Sequence, residues 1–260
     1  MKSVIVIPAR YSSQRFPGKV LALLRGKPIV QWVWECAVKS KADLVLVATD
    51  DQRIMDVVTS FGGTAVMTSP NHPSGSDRIM EAVQNIDADV IINVQGDEPS
   101  MPPRLIDDLI DMMSGADAPD MGTVVVPCKR EDVANNPNKP KVVVSADGYA
   151  LYFSRSMIPF LREGGTEMKV LRHWGIYAYR RSALEKFVSL PESPLEKCEK
   201  LEQLRALENG IRIKTIETVY DGIDVNTPED LEEAEKLFAE MTSILPFPAC
   251  LAHDGEEFRV

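Results

Sequence analysis

The sequence predicts an α/β fold, a mainly parallel sheet flanked by helices, with a small antiparallel insertion. Two observations carry that prediction. Short Val- and Ile-rich runs alternate with amphipathic stretches of helical length in the N-terminal part of the chain, and this rhythm then gives way to closely spaced strands joined by Asn/Pro and Asp-Gly turns. Apolar strands with helices between them suit a parallel sheet covered on both faces.

Taken in order, Val4 to Ile7 reads as a buried strand, and Pro28 to Ser40 as a helix with Ile29, Trp32, Val33, Cys36 and Ala37 on its apolar side. Leu44 to Ala48 is a strand and Gln52 to Ser60 a helix. The alternation repeats through Thr64 to Met67, Asp77 to Asn85 and Val90 to Val94. Pro102 to Met113 is a helix whose proline sits where no amide donor is missed. Strands at Met121 to Val126, Lys141 to Val144 and Tyr149 to Tyr152 follow, with a hairpin signal at Asp147-Gly148. A helix over Pro194 to Asn209 stops at Gly210; a strand at Ile211 to Ile216 and a helix opened by Thr227-Pro228 complete the pattern. The expected organisation is a domain over residues 1–241, an insertion near 127–179 and a C-terminal tail over 242–260.

Bulk properties narrow the function. A chain of 260 residues suits one large domain or one with a small appendage. Its net charge of -10 argues against a general nucleic-acid binder, although an acidic protein still accommodates a local basic pocket. Cys36, Cys128, Cys198 and Cys250 are scattered without metal-binding spacing, which predicts free, buried thiols in a reducing compartment. The N-terminal apolar run is too short for a signal peptide and no later stretch approaches a membrane span, so a cytoplasmic location is expected.

Pro8 to Lys19, PARYSSQRFPGK, directly follows the first strand, where ligands sit in open α/β sheets. It gathers Arg10, Arg15 and Lys19 beside serines and a glycine, which suits phosphate oxygens. Scattered surface cations are the plainer explanation, but clustering at this position in an acidic chain favours a phosphorylated ligand. The segment lacks the GxGxxG and P-loop patterns, which disfavours nicotinamide oxidoreductases and NTPases of those types. Farther on, VIINVQGDEP (Val90 to Pro99) is an apolar strand ending in carboxylates. Asp97 suits a hard cation such as Mg²⁺, or else is a turn or capping residue, and Gly96 permits close approach to the backbone.

The run IPARYSSQRFPGK resembles the signature loop of the 3-deoxy-manno-octulosonate (KDO) cytidylyltransferases, members of the nucleotidyltransferase superfamily with a Rossmann-like fold. QGDEP resembles the metal-binding motif of that family, and HPSGSDRIMEAV (His72 to Val83) resembles its base-binding motif, with Ser76 in place of Thr. ALYFSRSMIPF (Ala150 to Phe160), LRHWGIYAYR (Leu171 to Arg180) and the LEQLR run match its sugar-acid segments in order. The resemblance spans residues 3–238.

It implies a cytidylyltransferase that transfers CMP from CTP to KDO and releases pyrophosphate, with Mg²⁺ as cofactor. It further implies that Arg10, Ser13, Arg15 and Lys19 hold the triphosphate, Arg10 and Lys19 balancing charge on the leaving pyrophosphate beside the catalytic Asp97. Ser74, Gly75 and Arg78 become base-site candidates; a helix cap at Ser76 explains the same segment. Gln95 is assigned to both nucleotide and sugar. The acidic sugar falls to Arg155, Arg162, His173, Tyr177, Glu202 and Gln203. Singly, His173 reads more readily as a packed histidine hydrogen-bonded to backbone, and Glu202 as solvated or paired with Arg205.

YDGIDVNTPEDL (Tyr220 to Leu231) supplies the second metal ligand, but Asn226 stands where the family often has Asp, and Asp224 lies two residues earlier. Residues i and i+2 of an extended segment point the same way, so Asp224 is the expected ligand, and Asn226 either contributes a neutral oxygen or caps the helix. The resemblance also implies a homodimer formed through the insertion, with no nucleic-acid or membrane partner. Alternatives are a cytidylyltransferase for another acidic sugar, 8-amino-KDO or sialic acid, and a silent nucleotide-binding protein. The silent protein predicts lost carboxylates or loop cations, yet Asp97, Arg10 and Lys19 are all present.

Overall fold

A computed structural model of the chain describes residues 1–13, 15–115, 117–166, 168–220 and 222–244. They form two compact units. One comprises Lys2–Ala88, Asn93–Asp107 and the chain from Gly222; the other comprises Met1, Asp89–Ile92 and Asp108–Asp221.

The first unit begins with β1 (Ser3–Ala9), a 3-10 turn at Lys19–Leu21, β2 (Leu23–Leu24), β3 (Lys27–Pro28) and α1 (Ile29–Ala37). It continues through β4 (Leu44–Thr49), α2 (Gln52–Ser60), β5 (Ala65–Met67) and α3 (Gly75–Val83). β1, β4 and β5 are parallel and adjacent in that order, in register Val4↔Leu44 and Val47↔Ala65. Val4 to Ile7 and Val45 to Ala48 are buried, as consecutive apolar residues require of strands covered on both faces. On α1, Ile29, Val33, Cys36 and Ala37 fall on one stripe and are buried, while the Trp32 indole donates to the Leu24 carbonyl at 2.8 Å.

β6 (Val90–Asn93) and α4 (Pro103–Met112) come next, and the chain changes unit within each. The second unit holds β7 (Met121–Cys128), α5 (Arg130–Val133), β8 (Lys141–Val144), β9 (Ala150–Ser154) and β10 (Val170–Arg180). α6 (Arg181–Ser189), α7 (Pro194–Glu199), α8 (Gln203–Glu208) and β11 (Ile213–Glu217) complete it. The order is β11-β7-β10-β6; β11 runs parallel to β7, whereas β10 is antiparallel to β7 and β8, and β8 to β9. The hairpin between β8 and β9 turns at Asp147-Gly148, where Gly148 has φ +78° and the Ser145 amide donates to the Tyr149 carbonyl at 2.8 Å. α9 (Pro228–Ile244) returns to the first unit. Thr227 and Asp230 cap it reciprocally, each accepting the other's backbone amide, at 3.2 and 2.8 Å.

Several expectations change. The helix expected over Pro194 to Asn209 is two helices, α7 and α8, because Lys200 adopts φ +51°. The break turns the Glu199 and Lys200 carbonyls toward the Arg155 guanidinium, which donates to both. α3 starts at Gly75 and its cap is Ser74, not Ser76; Ser76 lies inside the helix and is buried. The strand β10 and helix α6 were not anticipated as elements. Cys36 is buried as expected, but Cys198 is exposed. α9 carries the chain to Ile244, and residues 245–260 of the expected tail, Cys250 included, lie outside the described residues.

Candidate active site

In the first unit the segment after β1 is closed on itself before it reaches any ligand. The Tyr11 carbonyl accepts from the amides of Ser13 and Gly18, at 3.1 and 2.8 Å. Gly18 has φ +70°, and a Cβ there would stand 3.0 Å from the Tyr11 ring, so conformation and space both demand glycine. The Arg53 guanidinium lies 3.3 Å from the centroid of the Tyr11 ring and is itself held by Asp51, the cap of α2. Tyr11, Arg53 and Asp51 are thus an anchor that sequence reasoning missed; residues 40 positions apart give no local signal of it.

That closed loop carries Lys19 to the start of the 3-10 turn. Its ammonium bonds the Asp97 carboxylate and, at 2.9 Å, Oδ1 of Asn226, which also accepts from Arg15 Nη2 at 3.2 Å. The Lys19 and Asp97 side chains are 16% and 19% exposed, so both reach solvent while retaining a partly desolvated contact. Gly96 lets the backbone before Asp97 pass close to β1, since a Cβ there would lie 2.8 Å from the Pro8 carbonyl oxygen. The segment carrying Asn226 is fastened by its backbone. The Val225 amide donates to the Asp97 carbonyl at 2.9 Å, Val225 is fully buried, and the Asn226 amide donates to Asp230. The Asn226 side chain is left to face Lys19. Asp224 is exposed on the same segment. Ser13 and Arg10 are half-buried and Arg15 is exposed.

The base-site candidates divide. Ser74 accepts from the Asp77 amide and donates to its carboxylate at 2.6 Å. A Cβ on Gly75 would meet nothing within 4 Å, so protein packing does not require glycine there and room remains for a ligand. Arg78 is fully buried, with Nη1 on Thr68 Oγ1 at 2.5 Å and Nη2 on Asp50 at 2.7 Å, tying the ends of β4 and β5. Gln95 donates to Asn93 Oδ1 at 3.3 Å.

The sugar-site candidates lie in the second unit. The register of β10 on β7 shifts between Trp174 and Tyr177, and Thr123 Oγ1 fills that irregularity by donating to the Ile176 carbonyl. His173 Nε2 meets the same Thr123 hydroxyl at 3.0 Å, its ring packed against Phe153 and Tyr177. Burial, with Arg172 adding to it, pushes the His173 pKa down to about 3, so its imidazole is neutral. Burial likewise raises the Tyr177 phenol well above its ordinary value. Gln203 is 6% exposed and its Nε2 has no hydrogen-bond partner, an amide donor held inside the unit. Glu202 is 3.8 Å from Arg205, whose main partner is the buried Glu196, at 2.6 and 2.8 Å.

The two arginines assigned to the sugar acid differ. Arg155 gives its donors to backbone carbonyls: Nε to Glu199 at 2.6 Å, Nη1 to Pro137 at 2.7 Å and Nη2 to Lys200 at 3.0 Å. Arg162 is exposed. Two further residues complete the clamp around Arg155 and escaped sequence reasoning. Glu199 accepts from the Ser154 hydroxyl and the Arg155 amide; these bonds outweigh burial and hold its pKa below the usual value. Lys141 is fully buried, its ammonium donating to the Arg155 carbonyl at 2.5 Å and the Asn136 carbonyl at 3.2 Å, and burial lowers its pKa.

Comparison with known proteins gives a consistent answer. The cytidylyltransferase family pattern matches residues 4–216. A 3-deoxy-manno-octulosonate cytidylyltransferase of Thermodesulfovibrio yellowstonii is 52% identical over 250 residues, 91% of this chain and 98% of the relative. Another, from Vibrio vulnificus, is 46% identical over 250 residues, 92% of this chain and 99% of the relative. Among solved structures, CMP:2-keto-3-deoxy-manno-octonic acid synthetase complexed with CTP superposes with a TM-score of 0.88 at 44% identity, covering 92% of this chain and 99% of that one. A cytidylyltransferase from Leptospira borgpetersenii, at 18% identity and TM-score 0.61, shares the fold.

Proposed function

The chain belongs to the 3-deoxy-manno-octulosonate cytidylyltransferases, nucleotidyltransferases that move CMP from CTP to KDO, and from that premise we propose how its own residues divide the work. The observation that carries the proposal is the Lys19 ammonium held by Asp97 and Asn226 at the end of a loop rich in cations. Arg10, Ser13, Arg15 and Lys19 receive the triphosphate, with Lys19 and Arg10 neutralising charge that builds on the departing pyrophosphate. Ser74 and Gly75 border the cytosine, Arg78 fixes that loop from inside, and Gln95 lies along nucleotide and sugar.

The residues fit Mg²⁺. A cation already stands against two oxygens, those of Asp97 and Asn226. That suits an ion which takes one or two protein oxygens and completes its shell with phosphates and water. Asp97 is one ligand, and Asn226 or Asp224 the other. When bound, the ion would neutralise phosphate charge and orient the α-phosphate. The chain's part is then positioning for in-line attack by the sugar's anomeric hydroxyl.

In the second unit, neutral His173, Tyr177, Glu202 and Gln203 offer hydrogen bonds to sugar hydroxyls. Arg162 is the cation for the sugar carboxylate, since Arg155 is committed to carbonyls. Leu151, Phe160 and Met168 of the insertion are exposed, at 61%, 86% and 58%, which supports burial against a second copy in a homodimer. Among the described residues no helix is long and apolar enough to cross a membrane; a cytoplasmic enzyme supplying activated sugar for lipopolysaccharide fits this reading.

The sugar is tested by pyrophosphate release from CTP and Mg²⁺ with KDO, 8-amino-KDO and sialic acid side by side. KDO should give the highest kcat/KM. Turnover with either rival and none with KDO would replace the substrate while leaving the chemistry intact.

A further inference from the structure

In the nucleotide unit, two cations converge on one carboxylate and one neutral amide. Lys19 meets Asp97 and Asn226, and Arg15 meets Asn226. Were residue 226 an aspartate, its charge would balance the second cation. With an amide there, the centre of Lys19, Arg15 and Asp97 carries a surplus positive charge. Among these three groups a dication meets one carboxylate, already bonded to an ammonium, in a setting where the Lys19 and Asp97 side chains are less than one-fifth exposed and charges are incompletely screened. Affinity of such sites follows the charge and number of their oxygen ligands.

We propose that in the nucleotide-free protein the Lys19 ammonium fills the cation position between Asp97 and Asn226, and yields it only when CTP arrives. The triphosphate gives Lys19 and Arg15 stronger anionic partners and brings its own oxygens, so the carboxylate is released at the moment a metal can be shared with phosphate. Asn226 sets this order: an amide oxygen holds the two cations loosely enough to surrender them and does not by itself attract a metal. Metal and nucleotide binding are thereby coupled with positive sign, and the coupling is reciprocal. The inference rests on the metal assignment to Asp97 made above.

The test uses the full-length protein without nucleotide and Mn²⁺ as a paramagnetic stand-in, free ion being read by electron paramagnetic resonance. Wild type should bind Mn²⁺ weakly. Asn226→Asp, which adds a charged ligand, and Lys19→Met, which vacates the position, should each tighten that binding by about tenfold or more. Adding α,β-methylene CTP to wild type should raise Mn²⁺ uptake above that of the analogue alone. Lys19→Met serves if Asn226→Asp fails to fold, with circular dichroism checking both. Nucleotide-free Mn²⁺ binding by wild type as tight as by the variants overturns the proposal. So does tightening that Asp224→Asn abolishes in the Asn226→Asp background, since Asp224 would then be the second ligand. Pyrophosphate release by wild type in parallel separates the two readings: turnover with tight nucleotide-free Mn²⁺ binding sinks only the order of events, whereas its absence sinks the assigned reaction.

Discussion

The two units hold their functional side chains in opposite ways. In the first unit, Lys19, Asp97 and Arg15 are charged and reach solvent, Lys19 bonding Asp97 directly and sharing the Asn226 amide oxygen with Arg15, an arrangement whose partners exchange, on the function proposed above, when a triphosphate arrives. In the other unit, His173, Tyr177 and Gln203 are buried and uncharged, and Arg155 is spent on carbonyls. The contrast suits the chemistry proposed above for each. A highly charged triphosphate is best received by charges that relocate, whereas a sugar is read by donors and acceptors whose positions are fixed beforehand.

That contrast can be broken most forcefully at Asp97. Asp97→Asn keeps the shape and removes the charge, and should lower the rate of pyrophosphate release by about 10²–10³-fold with the thermal unfolding midpoint little changed. A large fall in the midpoint would make Asp97 a structural residue like those of the other unit. Arg155 should show the reverse pattern. Arg155→Ala strands the carbonyls of Pro137, Glu199 and Lys200, and is expected to cost about 2–3 kcal/mol of stability by denaturant titration. Arg155→Lys recovers little, because a point charge cannot serve carbonyls in three directions. A raised KM for sugar at unchanged stability would return Arg155 to the ligand.

The smallest effect, taken per pH unit, is a slope of stability with pH. His173 has its folded pKa depressed from 6.5 to about 3, so the unfolded chain takes up a proton that the native chain refuses. The stability is fully present above pH 6.5 and is lost as pH falls toward about 3, by up to about 1.4 kcal/mol per pH unit. His173→Gln should flatten that acid limb in unfolding experiments, and wild-type activity should show no inflection from this residue between pH 5 and 9. An acid limb as steep in the variant as in wild type would mean that other groups carry it.

Much of this was legible in the residues alone, for reasons that are local. The strands β1, β4 and β6 announce themselves as unbroken apolar runs, Asp147-Gly148 as a turn, and Thr227-Pro228 as a helix start. The loop's cations and the Gln-Gly-Asp-Glu strand end drew the nucleotide assignment because charges there are conspicuous. What stayed hidden depends on partners distant in sequence. The kink at Lys200 is stabilised by Arg155, 45 residues earlier, so a continuous helical pattern from Pro194 onward concealed two helices. The same bonds show why an arginine in a sugar-site motif need not be a ligand. The choice between Asp224 and Asn226 was equally out of reach, since both flank the buried Val225 and only the backbone bond to Asp97 shows how that segment is fastened.

Position 226 also has a meaning for how such a protein changes over time. The scaffold around it is secured by neighbours: Val225 by burial and its amide, Thr227 and Asp230 by mutual capping, and the Asn226 amide by Asp230. None of these contacts uses the Asn226 side chain. Amide and acid therefore interconvert there through a single-residue change that leaves the framework undisturbed, and a lineage is free to alter the charge beside Lys19 without first acquiring a compensating mutation elsewhere.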